Sequence, residues 1–291
     1  MRTYLESFLV EYEYPSDSIS ELMLAYDKLI LACADDFDAM INEYEACYDI
    51  DYHSAIQKMS ELARIADIHE YTAHLLLFLC YTRGLRSYYA ERGISWDIYK
   101  NTVLDLRYKL DECICVKGVV GSFVAKWFVG FFKLERFALG RLQFEIIDFG
   151  ADYEKNGLSL KPDSKVLNVH IPRTGTRLEH ESVLDSYRLA RDFYAPVLGD
   201  NPVFVCSSWL LFPRHKEILK VGSNLLAFMN DYDIFTFGEY SNYIEIWRLF
   251  DTEFDGDPAH LPADSSLRRA YVDLISRGER TGWGRGVFEH K

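Results

Sequence analysis

The sequence predicts two parts of different class: an all-helical domain over residues 1–135, then an α+β or α/β domain over residues 136–291, a mixed sheet flanked by helices. Three observations carry this division. Through the first part, apolar residues recur at three- and four-residue spacing, the period of one buried helical face. From about Phe137 the period changes to two: in Gly140-Arg141-Leu142-Gln143-Phe144-Glu145-Ile146 the residues Leu142, Phe144 and Ile146 face one way, and Arg141, Gln143 and Glu145 the other. Finally, Lys165 to Leu211 reads as strand, polar loop, helix, strand, and a helix between two strands implies parallel pairing with a right-handed crossover.

In the helical part, Asp35 and Asp36 precede Phe37, Met40, Ile41 and Tyr44, an aspartate-capped helix start. His69 to Glu91 is a long apolar helix ending near Gly93, a C-terminal glycine stop, and Ser95 caps the next helix, whose stripe is Tyr99, Val103, Leu106 and Leu110. Val116 to Leu134 is expected to be one buried helix, too interrupted by lysine and glycine to cross a bilayer of about 20 residues' span. Five to seven helices are expected in all, forming a bundle. In the second part, Val166 to Ile171 is a strand stopped by Pro172, a helix runs from about Ser182, and Val203 to Leu211 is a second, continuously apolar strand. A helix over Ser266 to Ser276 and a strand at Trp283 to Phe288 close the pattern.

Composition limits the function. Residues 1–70 carry 16 acidic and 4 basic side chains, so nearly all of the net charge of −13 lies there. An acidic surface argues against nucleic acid or an anionic membrane as partner, since both need clustered Lys and Arg. The six cysteines form no CxxC framework and the first thirty residues show no basic-then-apolar leader, so reduced thiols in a cytoplasm are expected. Neither Glu179-His180-Glu181 nor His69-Glu70 has zinc-ligand spacing, and the acidic loop Asp251 to Asp257 lacks a calcium pattern, so no metal is expected.

If the strands align their polar sides, Arg141, Gln143, Glu145, Asn168, His170, Cys206 and Ser208 line one cleft; the alternative is a sheet with one solvated face. At these residues a family likeness emerges. The segments Leu139-Gly140-Arg141-Leu142-Gln143-Phe144-Glu145, His170-Ile171-Pro172, Cys206-Ser207-Ser208-Trp209-Leu210-Leu211 and Ser223-Asn224 resemble bacterial two-domain acyltransferases. These pair a helical N-terminal domain with a C-terminal domain of the GNAT (N-acetyltransferase) fold.

The resemblance implies an acyl-CoA co-substrate, usually acetyl-CoA, and an amine acceptor: a small molecule, a peptide or a protein. It implies that Val169, His170 and Ile171 hold the pantetheine arm through their backbone, that Arg173, Gly175 and Arg177 form the phosphate loop, and that Asn224 contacts the cofactor. That loop departs from the family pattern in having one glycine, displaced in spacing. Acyl transfer from thioester to amine needs a base, for which Glu145 or His170 qualifies, and an acid, for which the resemblance points to Tyr232. Arg141, Gln143, Cys206 and Ser208 are the expected substrate-binding side chains. Two other readings stand beside this N-acyltransferase: a non-catalytic binding or scaffold protein with a degenerate GNAT fold, and a hydrolase using Cys206 as nucleophile.

Overall fold

In the computed structural model, which describes residues 1–155 and 157–289, the chain divides into two compact units, Met1–Phe137 and Ala138–Lys291. The first contains helices α1 (Arg2–Glu11), α2 (Ser16–Ala46), α3 (Tyr52–Ile65), α4 (Glu70–Glu91), α5 (Trp96–Lys117) and α6 (Ala125–Phe132). Local signals set several ends. Asp51 caps α3 by accepting from the amides of His53 and Ser54, and Ser95 caps α5 by accepting from Ile98. Beyond α4, Gly93 takes the left-handed conformation (φ 64°) that stops a helix. Helix α4 is the centre of this unit: Leu75 to Tyr81 are all at 0% exposure.

Within α2 the backbone leaves helical geometry at Cys33 (φ −145°, ψ 34°), so two helical segments meet there, and Asp35 and Asp36 lie exposed at the start of the second, ahead of the buried Phe37, Met40, Ile41 and Tyr44. One helical expectation is corrected: Val116 to Leu134 is not one helix. Gly118 ends α5 in the left-handed conformation, Ser122 donates its amide to the Tyr71 carbonyl (2.9 Å), and the helix restarts only at Ala125. Gly121 permits this approach: a Cβ there would lie 2.4 Å from the Tyr71 carbonyl carbon.

The sheet is built from β1 (Arg136–Leu139), β2 (Leu142–Asp148), β5 (Lys165–His170), β6 (Val203–Ser208), β7 (Asp233–Glu239) and β8 (Gly282–Glu289), while β3 (Tyr153–Lys155) and β4 (Leu158–Leu160) form a separate hairpin. Helices α7 (His180–Leu198), α8 (His215–Ile218), α9 (Asn224–Asn230), α10 (Trp247–Phe250) and α11 (Ser266–Ser276) complete the unit. The strand order is β1-β2-β5-β6-β8-β7. β5 and β6 run parallel, whereas β2–β5, β6–β8 and β7–β8 are antiparallel, so the sheet is mixed as expected.

One face packs under α7, where Tyr187 meets Phe144, Phe204 and Phe288 with ring centroids 4.8–6.4 Å apart. On this face β8 carries glycine at three successive positions, Gly282, Gly284 and Gly286, before Phe288. A Cβ on Gly284 would fall 2.2 Å from the Leu211 carbonyl oxygen, and one on Gly286 2.7 Å from the Tyr232 Cβ. The other face buries Phe149, Leu160, Val166, Val205 and Val287. The strand expected over Val203 to Leu211 ends at Ser208, whose hydroxyl accepts the Leu210 amide (3.2 Å) and turns Trp209–Leu211 into a 3-10 turn.

His215 joins that turn to α11. Its Nδ1–H donates to the Leu210 carbonyl (3.2 Å), so Nε2 accepts from the Tyr271 hydroxyl (2.5 Å), and the ring is held neutral. Burial pulls its pKa down to about 4. Between that value and about 6.5 the unfolded chain binds a proton that the folded one refuses, so stability falls as pH drops through this window, by about 3 kcal/mol in all. Urea midpoints at pH 7 and pH 4.5 are expected to separate in the wild type and to converge in His215→Asn. A slope equal in both proteins would contradict this account.

Candidate active site

The antiparallel register places Gln143 opposite His170 and Glu145 opposite Asn168, so all four side chains share one face. Glu145 and His170 meet: Nε2 of His170 stands 2.6 Å from Oε1 of Glu145. At that distance the imidazole N–H donates to the carboxylate, and the Asn168 amide (3.0 Å from the same oxygen) donates to it as well. The imidazole and carboxylate are 20% and 16% exposed, enclosed but reachable. Gln143 beside them is buried.

Next to this cluster the sheet opens. Parallel β5 and β6 pair at Leu167–Phe204 and Asn168–Val205, two residues before β5 ends at His170. β6 runs on to Ser208, paired along its other edge with β8. Backbone groups of Val169, His170 and Ile171 therefore border a gap between two adjacent parallel strands, at their carboxyl ends, where open α/β sheets hold ligands.

The same register corrects one alignment. Because Asn168 pairs with Val205, it is Val205 and Ser207 that share the Glu145–His170 face, and Cys206 and Ser208 point to the other. Cys206 is at 0% exposure and burial pushes its thiol up, so it lacks the accessible thiolate a nucleophile needs. That removes the hydrolase reading. Ser208 spends its hydroxyl on the turn cap. Tyr232 is also enclosed on the helix side, its hydroxyl 2.7 Å from that of Tyr187 and its pKa driven up by burial, so it is not the accessible acid expected.

The remaining expected residues lie in the turn before β2, in the loop after β5 and at the start of α9. Arg141 braces the end of β5: its amide donates to Ser186 Oγ (2.7 Å) and its guanidinium to the Pro172 carbonyl (3.0 Å). In the loop after β5, Gly175 holds a φ of 75° that favours glycine, with the Thr174 and Thr176 hydroxyls 2.7 Å apart, and Arg177 is exposed. Arg173 instead reaches Asp251 (2.9 Å), a carboxylate shared with Arg268 (2.6 Å). Asn224 opens α9 behind its cap Ser223. Sequence reasoning missed the Asp251 contact because 78 residues separate the partners, and no local pattern marks it. Among the described residues no three His, Cys, Asp or Glu side chains gather as metal ligands, and no helix is long and apolar enough to cross a membrane.

A helical unit followed by a mixed sheet parted between two parallel strands defines a GNAT-type N-acyltransferase. A family model of the GNAT-like C-terminal domain matches residues 137–288, and one of the N-acyltransferase N-terminal domain matches residues 4–134. The chain belongs to this two-domain acyltransferase family. Among solved structures it is similar to an acyltransferase in complex with decanoyl-CoA and teicoplanin, at 20% identity and a TM-score of 0.72, over 97% of this chain and 86% of that one. It is likewise similar to a mutant acyltransferase in complex with octanoyl-CoA, at 20% identity and a TM-score of 0.75, over 98% and 87% of the two chains. At these identities the likeness shows a shared fold. No curated protein matches the chain.

Proposed function

We propose that this protein transfers an acyl group from an acyl-CoA thioester to an amine on a small molecule or peptide, in the cytoplasm and without a metal. The observation that carries the reading is the Glu145–Asn168–His170 cluster standing beside the gap between β5 and β6. The pantetheine arm lies along the backbone of Val169, His170 and Ile171, whose amides polarise the thioester carbonyl. The Glu145–His170 pair takes the amine proton, directly or through a water. Asn168 fixes the carboxylate, and Gln143 and Arg141 shape the floor and the rim. Arg173, Gly175 and Arg177 meet the phosphates, which requires Arg173 to leave Asp251 as the donor arrives. Asn224 supports the donor from α9.

The donors named for the similar structures are medium-chain, and the glycopeptide named for one of them is consistent with a peptide-like acceptor here. The test is calorimetric titration with acetyl-, octanoyl- and decanoyl-CoA, followed by an amine screen monitored by thiol release. Saturable binding is expected. The double change Arg173→Ala/Arg177→Ala is expected to weaken it about tenfold or more, the size of one charged hydrogen bond lost. Absence of binding to every acyl-CoA would overturn the reading.

A further inference from the structure

A second imidazole–carboxylate pair stands apart from Glu145–His170. His180 is the first residue of α7 and Asp231 directly follows α9; Nε2 of His180 lies 2.9 and 3.1 Å from the two carboxylate oxygens of Asp231. The carboxylate is 12% exposed and the imidazole 38%, so Asp231 is the inner, orienting partner and His180 the one a ligand meets.

Its place in the fold is fixed from two sides. The chain leaves the carboxyl end of β5 and enters α7 at His180, ten residues after His170. Next to Asp231, Tyr232 lies over Gly286, and Gly286 is the cross-strand partner of Cys206. Cys206 is one residue past the last β5–β6 pair. The dyad therefore stands on the α7 side of the sheet, near the level where the two strands have parted. Glu145, Asn168 and His170 project from the opposite face, since Asn168 pairs with Val205 and not with Cys206. Other proton-bearing groups on the α7 side, the Tyr232 and Tyr187 hydroxyls and the Cys206 thiol, are sealed in the core.

We propose that His180, oriented by Asp231, delivers the proton to the sulfur that leaves the acyl donor; this rests on the acyl-CoA reading above. The amine lone pair forms the new C–N bond at the thioester carbon as the carbonyl π electrons move to oxygen, and the amine proton passes to the Glu145–His170 pair. When the carbonyl re-forms, the C–S bond breaks and its electron pair stays on sulfur. Sulfur takes a proton from the His180 imidazolium, giving the CoA thiol and a neutral imidazole. One pair has gained a proton and the other lost one, and exchange with solvent restores both.

The test compares CoA with desulfo-CoA, which lacks the sulfur, by calorimetry on the wild type, His180→Ala and Asp231→Asn. The wild type is expected to favour CoA by about tenfold through a thiolate–imidazolium contact. His180→Ala is expected to abolish that preference while leaving desulfo-CoA affinity unchanged, and Asp231→Asn, which keeps the shape of the pair, to reduce it. A preference retained in His180→Ala, a wild type with no preference, or an equal loss for both ligands overturns the inference alone. A wild type that binds neither ligand overturns the acyl-CoA reading together with it.

Discussion

His170→Ala is expected to lower kcat by about 10²- to 10⁴-fold, the usual contribution of a positioned general base, while acyl-CoA affinity stays within a few-fold of wild type. The asymmetry follows from placement. The imidazole bonds to Glu145, whereas the backbone of β5, which carries the proposed donor contacts, survives truncation of the side chain. Glu145→Gln keeps the shape and removes the charge that orients the ring, so it is expected to show the same pattern with a smaller loss. The measurement is thiol release from octanoyl-CoA with whichever amine the screen supplies, read beside calorimetric Kd and a thermal melt. If His170→Ala retained kcat within threefold of wild type, the Glu145–His170 base would be the wrong assignment. If kcat and affinity fell together with the melting temperature, the cluster would be a structural ion pair instead.

Gly284→Val is expected to give the largest loss of stability, about 3 kcal/mol or more, the upper range for overpacking a filled site. The obstacle is backbone: the added Cβ falls 2.2 Å from the Leu211 carbonyl oxygen and 2.8 Å from its carbon, so no rotamer relieves the clash and the 3-10 turn has to lift off β8. That turn carries Trp209, which packs on the cluster of Phe250, Tyr271, Leu274 and Ile275, and its Leu210 carbonyl accepts from His215. Displacing it loosens two elements at once. Gly278→Ala serves as comparison, since that glycine has a φ of 73° but open space around its Cβ, so it bears only the backbone penalty of about 1–2 kcal/mol. Equal urea midpoints for the two variants would refute the steric account.

What was legible in the sequence was local. Ser95 as a cap, Gly93 as a stop, the helix Ser266–Ser276 and, to within one residue at each end, the strand read over Val166–Ile171 and found at Lys165–His170 are written within a few neighbouring residues. Alternation in β2 and β5 also put Glu145 and His170 on polar faces, and antiparallel pairing brought those faces together. The side to which Cys206 and Ser208 point was not legible. Their register against β5 is set by a parallel pairing closed through α7, with no tight turn to fix the offset, and a one-residue slip inverts every side chain. Trp209-Leu210-Leu211 continued the apolar run of β6, so only the Ser208 cap reveals that the strand has ended. The break at Gly118 and Gly121 was hidden in the same way, inside a stretch apolar enough to read as one helix. Glu179-His180-Glu181 was weighed only as a metal motif, because its partner Asp231 lies 51 residues away.

The position of β8 has a consequence for how the C-terminal unit is assembled. It follows β6 and β7 in sequence, yet it occupies the slot between them, and those two strands are not neighbours. Until β8 has been made, β1-β2-β5-β6 ends in an open edge at β6 and β7 has no strand to join. At about 5–20 residues per second of synthesis, the roughly 75 residues between the end of β6 and the start of β8 leave that edge bare for several seconds. An unpaired apolar edge is a template for wrong partners, so the nascent chain, more than the finished protein, is where this fold is exposed to aggregation.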